Sequence, residues 1–271
     1  SGPYKIPAIR VETIGSLTNK TPTGPYRGAG GPEGAYCMER TVDLIAAELD
    51  LDPRIVRRKN LIDADAFPYK NPIGLIYDSG NYQKGLDRVL EISDYDAWLE
   101  KGRDSRSTNG PLIGIGIATV VKASGGGGEM LVEEARVVIE PTGRVVAYTG
   151  LSPHGQGTAT SFSQVVSSML GIDYSDVLVL HGDTAQIPSG HGTAASRGTV
   201  VGGSALYVTA KNAKAKISRI AAYLLDCNPD SVILSGGKVY NRDCPEHAMT
   251  FSEVASAAYE EEKLPSGEAV G

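Results

Sequence analysis

PHGQGTATSF, residues 153–162, and GHGTAASRGTVVGGSA, residues 190–205, decide how this chain is read. Each is a glycine-rich turn that runs straight into a helical pattern. PYRGAGGPEGAY, residues 25–36, is a third of the same kind. A glycine-rich turn at a helix start exposes backbone N–H groups beside the positive end of the helix dipole, which suits an anion. One such turn is weak evidence, because glycine turns commonly only connect elements. Three in one chain point to a large, polar, phosphate-bearing ligand held at several places.

Working outward, Pro32 fits the first helical position after the first turn. Ala35, Met38, Val42, Ile45, Ala46 and Leu49 then recur at helical spacing, with Cys37 expected to pack on a helix face. Asp52-Pro53 opens a short helix, Pro53–Asn60, whose Arg57-Arg58-Lys59 run reads as a solvated end near the negative pole. IPAIRVETI near the N-terminus alternates as a strand does. Asn81–Ser93 reads as a helix and 101–110 (KGRDSRSTNG) as a surface linker. Beyond it, LIGIGIATVVK and EEARVVIEPTGRVVAYTG read as strands, the latter a hairpin closed by Pro141–Gly143. Ser124–Gly128 reads as a mobile loop and Thr158–Leu170 as a helix. VLVLHGDT reads as a buried strand, Gly203–Asp226 as a long helix, and Ser231–Tyr240 as a hairpin around Gly236-Gly237. Thr250-Phe-Ser-Glu253 is a capping box. Strands and helices mix without a strict βαβ rhythm, so the fold class is α+β. The expected organisation is two lobes of mixed sheet with packed helices, 1–100 and 111–271, joined by 101–110.

The 271 residues include 33 glycines and 15 prolines, a loop-rich composition, and 41% hydrophobic residues supply a core. Net charge is −6 without a long basic run, which argues against nucleic acid. No apolar stretch reaches bilayer-spanning length and no apolar leader opens the chain, so a cytoplasmic location without membrane insertion is expected. Cys37, Cys227 and Cys244 are too few to hold an iron–sulfur cluster. His154, His181 and His191 match no metal-ligand spacing, and no residue is assigned to a metal. A nucleotide-binding protein would want a strand–GxGxxG–helix unit or a P-loop lysine, and neither is present.

PYRGAGGPEGAYCMER with ELDLDPRIVRRKNLI, and PHGQG with HGDTAQIPSGHGTAASRGTVVGG, resemble the molybdenum hydroxylase family. These are the molybdopterin-binding large subunits of xanthine dehydrogenase, aldehyde oxidase and carbon monoxide dehydrogenase. The resemblance runs from about Tyr4 to about Pro265. It implies a molybdenum–molybdopterin cofactor, which in some members carries a cytosine dinucleotide. It implies hydroxylation of an aldehyde or aromatic heterocycle with oxygen from water. Partners would be the rest of the large subunit, an iron–sulfur subunit and an FAD subunit. It assigns Arg27 and Gln156 as catalytic, stabilising charge at the metal's ligands. It assigns Gly28, Ala29, Gly155, Gln156, Gly157, Thr193, Ala194, Ala195, Ser196, Arg197 and Thr199 to the cofactor.

The chain also departs from the family. Carbon monoxide dehydrogenases carry a copper-binding cysteine where Gly28 stands, and xanthine dehydrogenases a phenylalanine where Ala29 stands. The GGxFG-type turn and the GxGE segment with the general base are not matched. Glu268 only resembles that glutamate superficially. The isolated chain is therefore expected to be inactive. A fragment that keeps the fold as an assembly module is the rival reading.

Overall fold

The computed structural model describes residues 2–108, 110–126 and 131–271. The chain forms two compact units, Ser1–Lys122 and Ala123–Gly271. The division falls after Lys122 instead of within 101–110. Residues 101–105 are the end of a helix, and Ser105 is buried with its hydroxyl donating to Gly102 O and accepting from Ile113 N. Asn109 lies outside the described residues, as do Gly127 and Gly128 of the Ser124–Gly128 loop.

The first unit is built on helices α1 (Gly31–Glu48), α2 (Pro53–Asn60), α3 (Tyr82–Ile92) and α4 (Tyr95–Ser105). A two-residue ladder pairs β1 (Tyr69–Lys70) with β2 (Ile76–Tyr77). Proline near the start of α1 and of α2 sets the helical φ where no N–H is needed. Asp52 caps α2 by accepting from Arg54 N, and the Arg54 side chain is the main cause that holds its carboxyl below the usual range. The apolar core gathers Tyr4, Val42, Ala46, Val56, Leu61 and Leu86. Cys37 is exposed, not packed. It sits two positions before buried Glu39, about 200° round the helix from the inner stripe.

Arg57 is also a correction, since its side chain is fully buried while Arg58 and Lys59 are exposed. Arg57 Nε donates to Glu39 at 3.1 Å, Nη1 to Asp43 at 3.0 Å and Nη2 to Ile117 O at 2.6 Å. Glu39 also accepts from Tyr4 Oη (2.7 Å) and Thr119 N (2.8 Å). Burial and the Glu39 carboxylate together push the Tyr4 phenol well above its ordinary value.

Two expected strands become extended segments without ladders. At 112–122 the burial alternates, with Ile113, Ile115, Ile117, Thr119 and Val121 turned partly inward. The period-two signal was right about the faces. Among the described residues, however, this backbone bonds to the Arg57, Glu39 and Ser105 side chains instead of a neighbouring strand. Further upstream, Val11, Ile14 and Leu17 are exposed at 74%, 82% and 104%. Alternation sets the two faces of a strand, but only a second strand makes a sheet.

The second unit holds a sheet of β3 (Ala135–Ile139), β4 (Val145–Thr149) and β5 (Val177–His181). β3 and β4 form the expected antiparallel hairpin, with Gly143 at φ 85° and Gly143 N bonded to Glu140 O. β4 and β5 run parallel, and α5 (Thr158–Leu170) makes the crossover that parallel pairing requires. β5 is an edge strand with Leu178 and Leu180 more than a third exposed, so it is less buried than its apolar run implies. Helix α6 (Ser204–Leu224) follows a π-helical turn, Gly198–Gly203. A second sheet, β6 (Val232–Ser235), β7 (Lys238–Asn241) and β8 (Cys244–Thr250), is antiparallel throughout. The capping box forms as read and opens α7 (Phe251–Ala257). Phe162, Val166 and Leu170 of α5 and Leu206, Ala210 and Ile220 of α6 fill one core with Val145, Ala147 and Val177 of the sheet. The architecture is α+β.

Candidate functional site

Because β4 and β5 are parallel and in register to their last pair, Thr149 opposite His181, the loops that follow them leave the sheet at the same end. Ligands of α/β sheets gather at this carboxyl end. The first loop, 150–157, enters α5 and the second, 182–197, enters the π-turn and α6. The two lie against each other. The Thr193 hydroxyl donates to Ser152 O at 2.8 Å, and His154 Nδ1 lies 2.8 Å from the same oxygen. A hydroxyl has one proton to give, and Ser152 O can only accept. His154 Nδ1 must then carry the proton of the second bond, which fixes the tautomer of the neutral ring.

The two backbones touch at Gly150 and Gly190. A Cβ on Gly150 would lie 2.8 Å from Ser189 O and 3.0 Å from Gly190 Cα; one on Gly190 would lie 2.9 Å from Gly150 Cα. No side chain fits at this crossing. The carboxylate of Glu133 fills the space beside it, its Oε1 only 2.4 Å from where a Gly150 Cβ would stand. Glu133 Oε2 accepts from Arg197 Nη1, and both side chains are fully buried. Arg197 also donates from Nη1 to Gly192 O (2.8 Å) and from Nη2 to Val132 O (2.6 Å). The guanidinium assigned to the cofactor from sequence is thus turned inward, and it holds the second loop in shape. Ala195 and Ser196 take left-handed φ of 52° and 56°, a strained pair that this anchoring holds in place.

The start of α5 is open. Its N-cap, Gly157, sits at φ 75°, offers no side-chain cap, and no acidic residue occupies the first turn. Thr158 Oγ1 is buried with no hydrogen-bond partner among the described residues. On the two loops and at the start of the π-turn, a Cβ built on Gly155, Gly157, Gly192 or Gly198 would meet nothing within 4 Å, so the backbone at each faces open space. Gln156 is exposed, and its Oε1 folds back to accept from His154 N, which leaves the amide NH2 as its outward donor. The cradle therefore offers unpaired N–H groups, a side-chain amide and hydroxyls. That donor set suits a polyoxygenated, anionic, flat ligand, and the residues present fit a pterin phosphate.

Gly155, Gln156, Gly157, Thr193, Ala194, Ala195, Ser196, Arg197 and Thr199 all lie on these two loops and the π-turn. Arg27, Gly28 and Ala29 lie in the first unit, in the turn before α1. There Ala29 N bonds to Tyr26 O and Gly31 N to Gly28 O. Arg27 is exposed and makes no hydrogen bond or ion pair with a described residue. Gly28 adopts φ 105°, and a Cβ on it would strike the Pro32 ring at 2.6 Å.

Sequence reasoning missed Glu133, Thr158 and the Gly150–Gly190 crossing. Nothing local marks them, because Glu133 and the glycine crossing depend on contacts with residues 40 to 64 positions away, and the Thr158 hydroxyl stands out only by being buried without a partner among the described residues. Among the described residues, His154, His181 and His191 belong to no group with metal-ligand geometry. No helix among them is long and apolar enough to cross a membrane.

Comparison with known proteins identifies the family. The molybdopterin cofactor-binding domain family matches residues 88–270, and a second domain family of the same description matches residues 1–61. The carbon monoxide dehydrogenase large chain of Hydrogenophaga pseudoflava is 34% identical over 271 residues, which cover 96% of this chain and 34% of the relative. The nicotine 6-hydroxylase large subunit of Paenarthrobacter nicotinovorans is 30% identical, over 98% of this chain and 34% of the relative. Quinoline 2-oxidoreductase from Pseudomonas putida 86 superposes with a TM-score of 0.82 at 30% identity, over 93% of this chain and 33% of that one. The chain spans about a third of the length of the relatives it matches. With both domain families matched and relatives 30% or more identical over nearly the whole chain, the chain belongs to the molybdenum hydroxylase family.

Proposed function

We propose that this chain is the cofactor-cradling part of a large subunit that hydroxylates an aldehyde or an aromatic heterocycle with oxygen from water. The observation that carries the reading is the uncapped start of α5, with free first-turn N–H groups, bare glycine backbone and the unpartnered Thr158 hydroxyl. Molybdenum–molybdopterin bound there would supply the two-electron redox chemistry. Gly155, Gly157, Thr193, Ser196 and Thr199 would hold its phosphate and ring edges, and Ala194-Ala195 allow close approach. Arg197 acts through the loop that it anchors to Glu133. Gln156 would donate from its amide.

No glutamate in these 271 residues is assigned as general base. The Glu268 carboxylate accepts from both Arg219 Nε (2.6 Å) and Nη2 (3.1 Å) and is held in its ionised form below the usual carboxylate range. We assign the base to another segment of the large subunit, and the onward electron carriers to an iron–sulfur and an FAD subunit in the cytoplasm. Gly28 replaces the thiol that carbon monoxide oxidation would need, and Ala29 leaves no ring to stack a purine.

The test is molybdenum content together with dye-linked oxidation of aldehydes and N-heterocycles, on the isolated chain and on the complex with its partners. The reading expects both in the complex and neither in the chain alone. A complex that carries no molybdenum would favour the assembly-module reading. Molybdenum and turnover in the isolated chain would refute the assignment of the base elsewhere.

A further inference from the structure

Cys244, Glu246 and His247 lie on β8, the edge strand of the second sheet, away from the loops that follow β4 and β5 in sequence. In a regular strand Cys244 and Glu246 would face one side and His247 the other. The ladder is irregular here. Asn241 pairs with Cys244 and Val239 with Met249, so four residues of β8 stand opposite Tyr240 alone. A bulge of this kind bends the strand and re-aims its side chains. The result is that Cys244 Sγ lies 2.8 Å from Glu246 Oε1 and 3.5 Å from His247 Nδ1, with all three donor atoms within 4.8 Å of one another. Pro245 sits inside the bulge, where a missing N–H costs no ladder bond.

We propose that Cys244, Glu246 and His247 bind a zinc-class divalent transition-metal ion at the surface of the second sheet. One sulfur, one imidazole nitrogen and one carboxylate oxygen are a borderline donor set, which suits zinc better than magnesium or calcium. The spacing agrees. Two tetrahedral zinc ligands at ordinary bond lengths stand about 3.5 Å apart, which matches the sulfur–nitrogen separation. The sulfur–oxygen pair is closer because the thiol proton lies between them. When the ion binds, that proton leaves to solvent, a sulfur–metal bond forms, and sulfur and oxygen separate by about 0.7 Å to their tetrahedral spacing. Glu246 and His247 are exposed, so the adjustment displaces water only. The fourth position is open to water or to a donor from another molecule. The sequence hides this site, because C-x-E-H is not a familiar zinc spacing and strand periodicity would separate the histidine from the other two.

The test is titration of the chelator-treated chain with Co2+, with Zn2+ added afterwards as competitor. The expected result is a thiolate-to-cobalt charge-transfer band at one equivalent, bleached by one equivalent of Zn2+. C244S should abolish the band. E246Q and H247A should each weaken Co2+ binding by more than about 10-fold, the least that loss of a supporting group around a metal costs. All three positions lie at the surface, and an unchanged far-ultraviolet circular dichroism spectrum will verify that each variant is folded. Absence of the band in the wild-type chain, its survival in C244S, or undiminished affinity in either E246Q or H247A would overturn the proposal.

Discussion

Arg57→Ala is the sharpest test of how the first unit is held together. The wild-type guanidinium is wholly buried and gives hydrogen bonds to Glu39, Asp43 and Ile117 O. Asp43 is 28% exposed and can recover water, but the Glu39 side chain is 7% exposed and cannot. After truncation Glu39 keeps only Tyr4 Oη, Thr119 N and Thr119 Oγ1 as donors against a full buried charge. Breaking such a pair from one side costs about 3–5 kcal/mol. With about 2.1 cal/mol/K of unfolding entropy per residue, a unit of this size should lose about 12–20 °C in Tm. Urea unfolding followed by the fluorescence of Trp98, the one tryptophan and a residue of α4 in this unit, reads the effect directly. The double variant E39Q/R57M leaves no buried charge, and an amide oxygen can still accept from Tyr4 and Thr119. It should recover at least half of the loss. A single-variant effect below about 1 kcal/mol, the size of a surface pair, would refute the reasoning. So would a double variant as unstable as the single one.

Thr158→Val should change the stability of the empty chain by less than about 0.5 kcal/mol, since no protein hydrogen bond is lost, yet lower molybdenum retention in the complex. Equal retention by elemental analysis would remove Thr158 from the cradle. Gly150→Ala should destabilise the second unit by about 1–3 kcal/mol in a denaturant titration, because its Cβ meets backbone of the facing loop. Wild-type stability would show that the two loops can part at no cost. The Glu268–Arg219 pair holds a depressed carboxyl, so its contribution is present above the unfolded value of about 4.3 and is lost as pH falls through the folded value. With Arg219 half exposed, E268Q should cost less than about 1 kcal/mol at neutral pH and flatten the acid limb of the stability profile. Gly28→Cys should strain the entry to α1 and should not confer copper-dependent carbon monoxide oxidation on the complex. That activity in the G28C complex would overturn this expectation.

Local chemistry was enough wherever an element carries its own instructions. Pro53 behind Asp52, Gly157 and Gly171 around α5, the Pro141–Gly143 turn and the Thr250–Glu253 box each act within a few residues, and each element formed where the sequence placed it. The α+β class followed from strands and helices mixing without a strict βαβ rhythm, and the family from the glycine-turn motifs. The pairing of an alternating segment was not legible. Residues 112–122 have a strand's period, but their bonds go to Glu39, Arg57 and Ser105. The last five residues of α4 fall in the 101–110 stretch that reads as a linker from its charged and small residues, whereas Gly102 is packed against Ile115 and Ser105 bonds within the buried turn. The site divides in the same way. Sequence alone singled out two glycine-rich loops, and the structure brings them against each other at the carboxyl end of β4 and β5. Only the tertiary structure turned Arg197 inward to Glu133, crossed Gly150 over Gly190 and gathered Cys244, Glu246 and His247 at a bulge. A side chain's direction and partner depend on what the rest of the chain brings beside it, and the residue itself carries no record of that.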